Sequence, residues 1–179
     1  GHDLGGGAGG VGLVLACWTF GGAAVTLAGG VWADRLPRRA VMISADLVRV
    51  GTQSTTAVLL FTGNAHVWQL AALQGVAGAG AGFFNPASTA LIPQTVSVGR
   101  LQQANALLSL SRSATSVFGP GVSGAIVAVA GPGWVFSIDA ASFVVSAFFL
   151  LQLDVDLPVR SARMTFVQEL RDGFHEVFD

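Results

Sequence analysis

Gly29-Gly30-Val31-Trp32-Ala33-Asp34-Arg35-Leu36-Pro37-Arg38-Arg39-Ala40-Val41-Met42-Ile43 sets four charges, Asp34, Arg35, Arg38 and Arg39, in the middle of a long apolar tract. The runs on either side, Val11 to Ala33 and Ala40 to Phe61, are each long enough to cross a bilayer, since a helical span takes about 20 residues. A knot of charge cannot lie in hydrocarbon, so it reads as a tight loop between two spans. Arginine-rich short loops mark the cytoplasmic side, and the three arginines here place this loop inside. The direction of every later helix follows from that assignment.

Composition agrees. Charged residues make up 11% of the 179-residue chain, against about 25% in soluble proteins. Mean hydropathy is +0.64, and Val50 to Gly99 contains no Asp, Glu, Lys or Arg. These values exclude an ordinary soluble domain and point to an integral membrane protein. A net charge of -1 gives no case for nucleic-acid binding, and the single Cys17, set in an apolar run, founds neither a disulfide framework nor a metal cluster. No cofactor is called for. Gly5, Gly7 and Gly10 satisfy a G-x-G-x-x-G spacing, but a nucleotide fold needs a strand before it, so Gly1 to Gly10 reads as a flexible outer loop.

The apolar runs predict an all-α membrane bundle of five spans, about residues 10–33, 40–61, 67–91, 103–130 and 134–153. A cytoplasmic linker, 154–179, is predicted to follow. In the first span Gly12, Ala16, Thr19, Ala23, Thr26 and Gly30 fall on one face, a stripe of small residues that favours close helix packing. Ala71, Gly75, Gly78 and Gly82 form a similar face in the third, which Asn85-Pro86 is expected to bend or end. The second span carries Asp46 and Arg49 near its inner end, where Asp46 is expected to pair with a loop arginine, and a polar run from Thr52 to Thr56 expected to face the interior in part. Gly63-Asn64-Ala65-His66 and Gly131-Pro132-Gly133 are outer turns without arginine, and His66 reads as a headgroup-level residue.

The fourth span concentrates the polar chemistry. Asn105, Ser109, Arg112, Ser116, Gly119 and Ser123 share a face, with Arg112 deep in the helix. An arginine there costs about 2.5–3.5 kcal/mol on insertion scales, so it must meet a polar cavity or a carboxylate. Asp139 in the fifth span is the candidate carboxylate. A structural pair with Asp139 and a ligand site both remain open for Arg112. Gly119-Pro120 is expected to interrupt the hydrogen-bond ladder of this helix. Beyond Leu153, Thr165 to Gln168 reads as a capping box, opening a helix whose apolar face (Phe166, Val167, Leu170, Phe174, Val177, Phe178) suits the cytoplasmic membrane surface.

Gly30-Val31-Trp32-Ala33-Asp34-Arg35-Leu36-Pro37-Arg38-Arg39 resembles the signature loop of the major facilitator superfamily, G-x-L-A-D-R-x-G-R-K/R, with Pro37 where the family usually has glycine. The stretch Phe84-Asn-Pro-Ala-Ser-Thr-Ala-Leu-Ile-Pro93, followed by Leu101 and Ala104-Asn-Ala-Leu107, is similar to the exporter branch related to siderophore and macrolide efflux proteins. Gly119-Pro120-Gly121-Val122-Ser123-Gly124 resembles the G-P-x-x-G-G motif associated with antiporters, with Ser123 in place of a glycine. The family often places an arginine one turn before a Gln-Gly pair; here Gln74-Gly75 is present but the position is Ala71, so the proton role of that arginine is not carried over.

The resemblance implies a proton-coupled exporter of small amphiphilic molecules, such as a drug or siderophore, working by alternating access in the inner (plasma) membrane. It implies a gating loop of Gly30, Asp34, Arg35, Arg38 and Arg39 with Asp46, a path along Asn105, Ser109, Arg112, Ser116 and Asp139, and a helix shaped by Gly119, Pro120 and Gly124. Since the family has twelve helices in two halves, the five spans correspond to a first half without its first helix, and that helix, the second half, lipid and a small-molecule substrate are the partners implied. A non-transporting receptor or scaffold is the alternative. A membrane-embedded enzyme is disfavoured, because no H-E-x-x-H occurs and Gly121-Val122-Ser123-Gly124-Ala125 misses G-x-S-x-G.

Overall fold

A computed structural model describes residues 7–33 and 37–153. Five helices run in order: α1 (Gly7–Ala33), α2 (Arg38–Phe61), α3 (Val67–Thr95), α4 (Leu101–Ala130) and α5 (Pro132–Gln152), with a 3-10 turn at Val98–Arg100 before α4. Among the described residues there is no strand. Asp34 and Arg35 of the charged loop, and the helix expected within 154–179, lie outside the described residues.

The surface is inverted relative to a water-soluble protein. Leu, Val, Phe and Trp side chains such as Phe20, Leu110, Phe118 and Phe149 are exposed, while the buried set is rich in alanine and includes Asp46, Thr52, Gln53, Thr56 and Gln74. Lipid tails are as apolar as leucine, so large apolar side chains gain nothing by turning inward and small or polar ones take the helix contacts. Gly9–Thr26, Leu101–Ala130 and Pro132–Gln152 are long and apolar enough to cross a membrane. With 24 and 29 residues, α2 and α3 are also long enough, but their polar and glycine positions dilute the apolarity.

α1 and α3 run parallel and meet backbone to backbone. A methyl group on Gly21 would meet the Gly75 carbonyl oxygen, and one on Gly78 the Trp18 carbonyl oxygen, at less than contact distance; on Gly82 it would reach the Gly22 oxygen at 2.6 Å. The stripe expected on α3, with Ala71, Gly75, Gly78 and Gly82, therefore packs as read. On α1 the packed face is Cys17, Gly21, Gly22 and Val25, whereas Ala16, Thr19, Ala23 and Thr26 of the expected stripe are exposed and Gly12 meets nothing. Both faces of α1 are small and apolar, and the glycine pair permits the closer approach.

α2 packs antiparallel to α3 and α5. At the C-terminal end of α2, Phe61 sits in the notch left by Gly133 and meets Trp134 edge-to-face at 5.8 Å. At its N-terminal end Val41, Met42, Ala87, Leu91 and Leu150 form an apolar cluster. Two glycines turn the chain with positive φ, Gly63 at 69° and Gly131 at 92°, a backbone region that disfavours any side chain. His66 opens α3, with its backbone N–H donating to Gln69 Oε1 at 3.0 Å and its Nδ1 3.0 Å from the Asn64 carbonyl.

Neither Asn85-Pro86 nor Gly119-Pro120 ends its helix. α3 continues to Thr95, and Ser88 and Thr89 hydroxyls donate back to the Asn85 carbonyl at 2.9 and 3.0 Å. These bonds do not replace the one lost at Pro86, whose missing N–H takes its ladder donor from the Gly82 carbonyl four residues back. α4 likewise runs through Pro120. It leans chiefly on α5 and buries none of its residues among the described neighbours.

Candidate functional site

The second helix carries Asp46, Arg49, Gln53 and Thr56 at steps of three and four, which stacks them on one face. That face turns into the seam with α3 and α5. Counting from Arg38, Asp46 lies about 12 Å and Arg49 about 16 Å along the helix, so neither reaches the start of the helix by extension. Their depth has to be met by protein.

Each polar group but one is met. Gln53 Nε2 donates to Asp139 Oδ2 at 2.7 Å, and Gln74 Nε2 donates to Gln53 Oε1 at 3.0 Å, so one chain of bonds ties α3, α2 and α5 together. The Arg49 guanidinium lies between two rings, 4.7 Å from the Phe143 centroid and 5.4 Å from that of Phe84, within the range at which a cation is attracted to a ring face. Gly80 leaves room for it: a methyl group there would stand 3.4 Å from Arg49 Cγ. Thr52 and Thr56, also buried, return their hydroxyls to carbonyls of their own helix at 3.1 and 2.9 Å. The exception is Asp46. It is 0% exposed, and neither carboxyl oxygen has a hydrogen-bond partner.

The structure redistributes the expected pairings. Asp46 does not bond a loop arginine; Arg39 instead turns to α5, its Nε donating to the Leu150 carbonyl at 2.7 Å and its Nη2 to that of Leu151. Those carbonyls lie in the last turn of α5, at a helix C-terminus where a cation is favoured. Arg38 is partly buried beside it at the start of α2, and Gly30 lies in the last turns of α1. Asp139 is held by Gln53 and forms no ion pair with Arg112.

Arg112 belongs to a different environment. Asn105, Ser109, Arg112 and Ser116 are all exposed on α4, and among the described residues Arg112 has neither hydrogen bond nor ion pair. Ser116 donates to the Ser113 carbonyl at 2.9 Å, a methyl group on Gly119 would meet only the Thr115 methyl at 3.8 Å, and Pro120 and Gly124 are exposed. A groove of about 330 Å³ between the C-terminal half of α2 and the N-terminal half of α5 is lined by Val50, Ser54, Ala57, Phe61, Ser137 and Ala141 among others, and by none of these path residues.

Arg49, Gln53 and Gln74 were not among the sequence candidates, although the three-four spacing of Asp46, Arg49, Gln53 and Thr56 was a signal for one buried polar face. Among the described residues, no group of three or more His, Cys, Asp or Glu side chains stands together as a metal site.

Comparison with known proteins adds the family. The Major Facilitator Superfamily matches residues 1–172. The chain is 27% identical over 133 residues to the uncharacterized MFS-type transporter YfiS of Bacillus subtilis, covering 74% of this chain and 31% of that one. It is 29% identical over 143 residues to YvqJ of the same organism, covering 76% and 34%, and 24% identical over 147 residues to macrolide efflux protein A of Enterococcus faecalis, covering 80% and 46%. The chain thus spans about a third of the length of the first two and about half of the third. No solved structure matches it at the same stringency. An all-helical multi-pass membrane chain, inverted in its burial and matched along nearly all its length, it belongs to the Major Facilitator Superfamily.

Proposed function

We propose that the chain forms part of a secondary active transporter that exports small amphiphilic molecules in exchange for protons by alternating access. The observation that carries this reading is Arg112, a cation at mid-helix in a row of small polar residues, with no protein partner among the described residues. An unpaired arginine in a span costs several kcal/mol unless it faces a polar cavity. A path for polar or charged cargo is such a cavity. The macrolide efflux protein among the relatives supports amphiphilic cargo, and the Gly119-Pro120-Gly121 turn of sequence on the same helix supports exchange.

In this reading Asn105, Ser109, Arg112 and Ser116 line the path, and the charged loop with Asp34 and Arg35 contacts the inner gate. Arg38, Arg39 and the 3-10 turn at Arg100 face the cytoplasm of the plasma membrane, and Asn64 to His66 face outward. A cysteine placed at position 65 should react with an impermeant reagent added outside, and one at position 38 should not; the reverse labelling would contradict the orientation.

The activity test uses the protein expressed from its full coding sequence in inside-out vesicles. A radiolabelled macrolide should accumulate when the lumen is acid and be released by a protonophore. Accumulation that ignores the proton gradient would remove the coupling, and none with any amphiphile tested would favour a receptor or scaffold.

A further inference from the structure

Asp46 stands apart from every other polar group in the seam. It is fully enclosed, and neither oxygen receives a donor. The titratable groups around it are few. On its own helix, Arg49 is one turn away, held between Phe84 and Phe143, and Arg38 and Arg39 lie about two turns toward the inner end, with Arg39 bonded to α5 carbonyls. On α5 the neighbours are Ser146, whose hydroxyl faces Asp46 without meeting hydrogen-bond geometry, and Asp139, which takes its bond from Gln53. α3 has no titratable residue at all.

The seam therefore holds two carboxyl groups and one guanidinium. Burying a bare, unpaired carboxylate costs far more than burying a neutral acid. One proton would make the cluster neutral, and the carboxyl that lacks donors is the one that gains most by holding it.

We propose that Asp46 is a proton-binding site: its carboxyl carries a proton in the conformation described and releases it when water reaches the seam. On release the O–H bond breaks with its electron pair left on the carboxylate, the proton passes to water entering the seam, and Arg49 is the nearest cation to face the new charge. The use of this step in transport rests on the proton-exchange reading above; the location of the proton does not.

The test is made on the protein from its full coding sequence, purified into lipid nanodiscs, by infrared spectroscopy of the protonated-carboxyl C=O stretch at neutral pH. Asparagine mimics the neutral acid, so Asp46→Asn keeps the fold, and its difference from the parent should contain one such band. Asp139→Glu should leave that band in place. Absence of the band from the difference, or its displacement by Asp139→Glu, overturns the proposal, the second by putting the proton on Asp139. In vesicles, Asp46→Asn should lose gradient-driven macrolide accumulation at least tenfold yet keep macrolide counterflow, which needs no net proton release. Gradient-driven accumulation unchanged in Asp46→Asn overturns the coupling role. A parent that moves no macrolide counts against the transport reading alone, because the band still decides where the proton sits.

Discussion

Two arginines lie deep in helices of this chain, and the protein surrounds them in opposite ways. Arg49 is enclosed by two phenyl rings, a glycine that leaves it room, and a seam holding two carboxyl groups. Arg112, on α4, touches no polar partner among the described residues. A buried cation supplied with rings and countercharge holds helices together. One left on a polar stripe is available to something that comes and goes. On the proposed reading, the difference separates a structural charge from a functional one more sharply than depth in the helix does.

The largest effect is expected at the enclosed arginine. Arg49→Ala leaves Asp139 and Asp46 in the seam without a nearby cation and empties the space between Phe84 and Phe143. Breaking a buried charge arrangement by removing one partner costs about 3–5 kcal/mol. Membrane abundance of the variant should fall steeply, as measured by quantitative blotting or fluorescence size exclusion, and full abundance would show that the seam does not depend on this charge.

The glycine seam between α1 and α3 comes next. Gly78→Ala puts a methyl group against the Trp18 carbonyl, and relief requires the two helices to separate. Overpacking of this kind costs about 1–3 kcal/mol, and contact with rigid backbone places it at the upper end. Gly51, with open space at its Cβ, is the control: Gly51→Ala should leave the melting temperature of the purified protein unchanged or slightly raised, while Gly78→Ala lowers it. Equal melting of the two variants would contradict the close parallel packing.

A smaller effect is expected at Arg39. Its guanidinium closes the C-terminal end of α5, and a hydrogen bond to a charged group contributes about 1.5–3 kcal/mol, less where water competes. Arg39→Lys should recover part of what Arg39→Ala loses, since lysine keeps the charge at the helix terminus but not the two-pronged geometry. Complete recovery would reduce the contact to helix-dipole electrostatics.

Much of the fold was legible because the bilayer constrains the chain so strongly. Long apolar runs punctuated by Asp34 to Arg39, Gly63-Asn64 and Gly131-Pro132 leave helices as the economical solution, and the Ala71-Gly75-Gly78-Gly82 stripe named the face that packs. The α1 stripe was misread because α1 is small and apolar on more than one side, so only its fit against α3 chooses Gly21-Gly22. Asn85-Pro86 was read as a bend or an end of the third span, and α3 runs on to Thr95, since proline removes one bond of the ladder while packing on α1 and α2 still supports the helix. The buried cluster was half visible. Part of the Thr52 to Thr56 run was expected to face the interior, but that Gln53 meets Asp139, and that Phe143 covers Arg49, depends on the register of α2 against α5, which local sequence does not encode.

The contrast between the two arginines is decided by measuring abundance and flux together. Arg112→Ala and Arg49→Ala are compared with the parent, each expressed from the full coding sequence, for membrane abundance and for proton-driven macrolide accumulation per molecule. The account predicts that Arg112→Ala keeps most of its abundance and loses at least tenfold in flux, with Arg112→Lys intermediate, while Arg49→Ala loses abundance first. Normal flux per molecule in Arg112→Ala, or loss of its abundance together with undiminished abundance of Arg49→Ala, would contradict it.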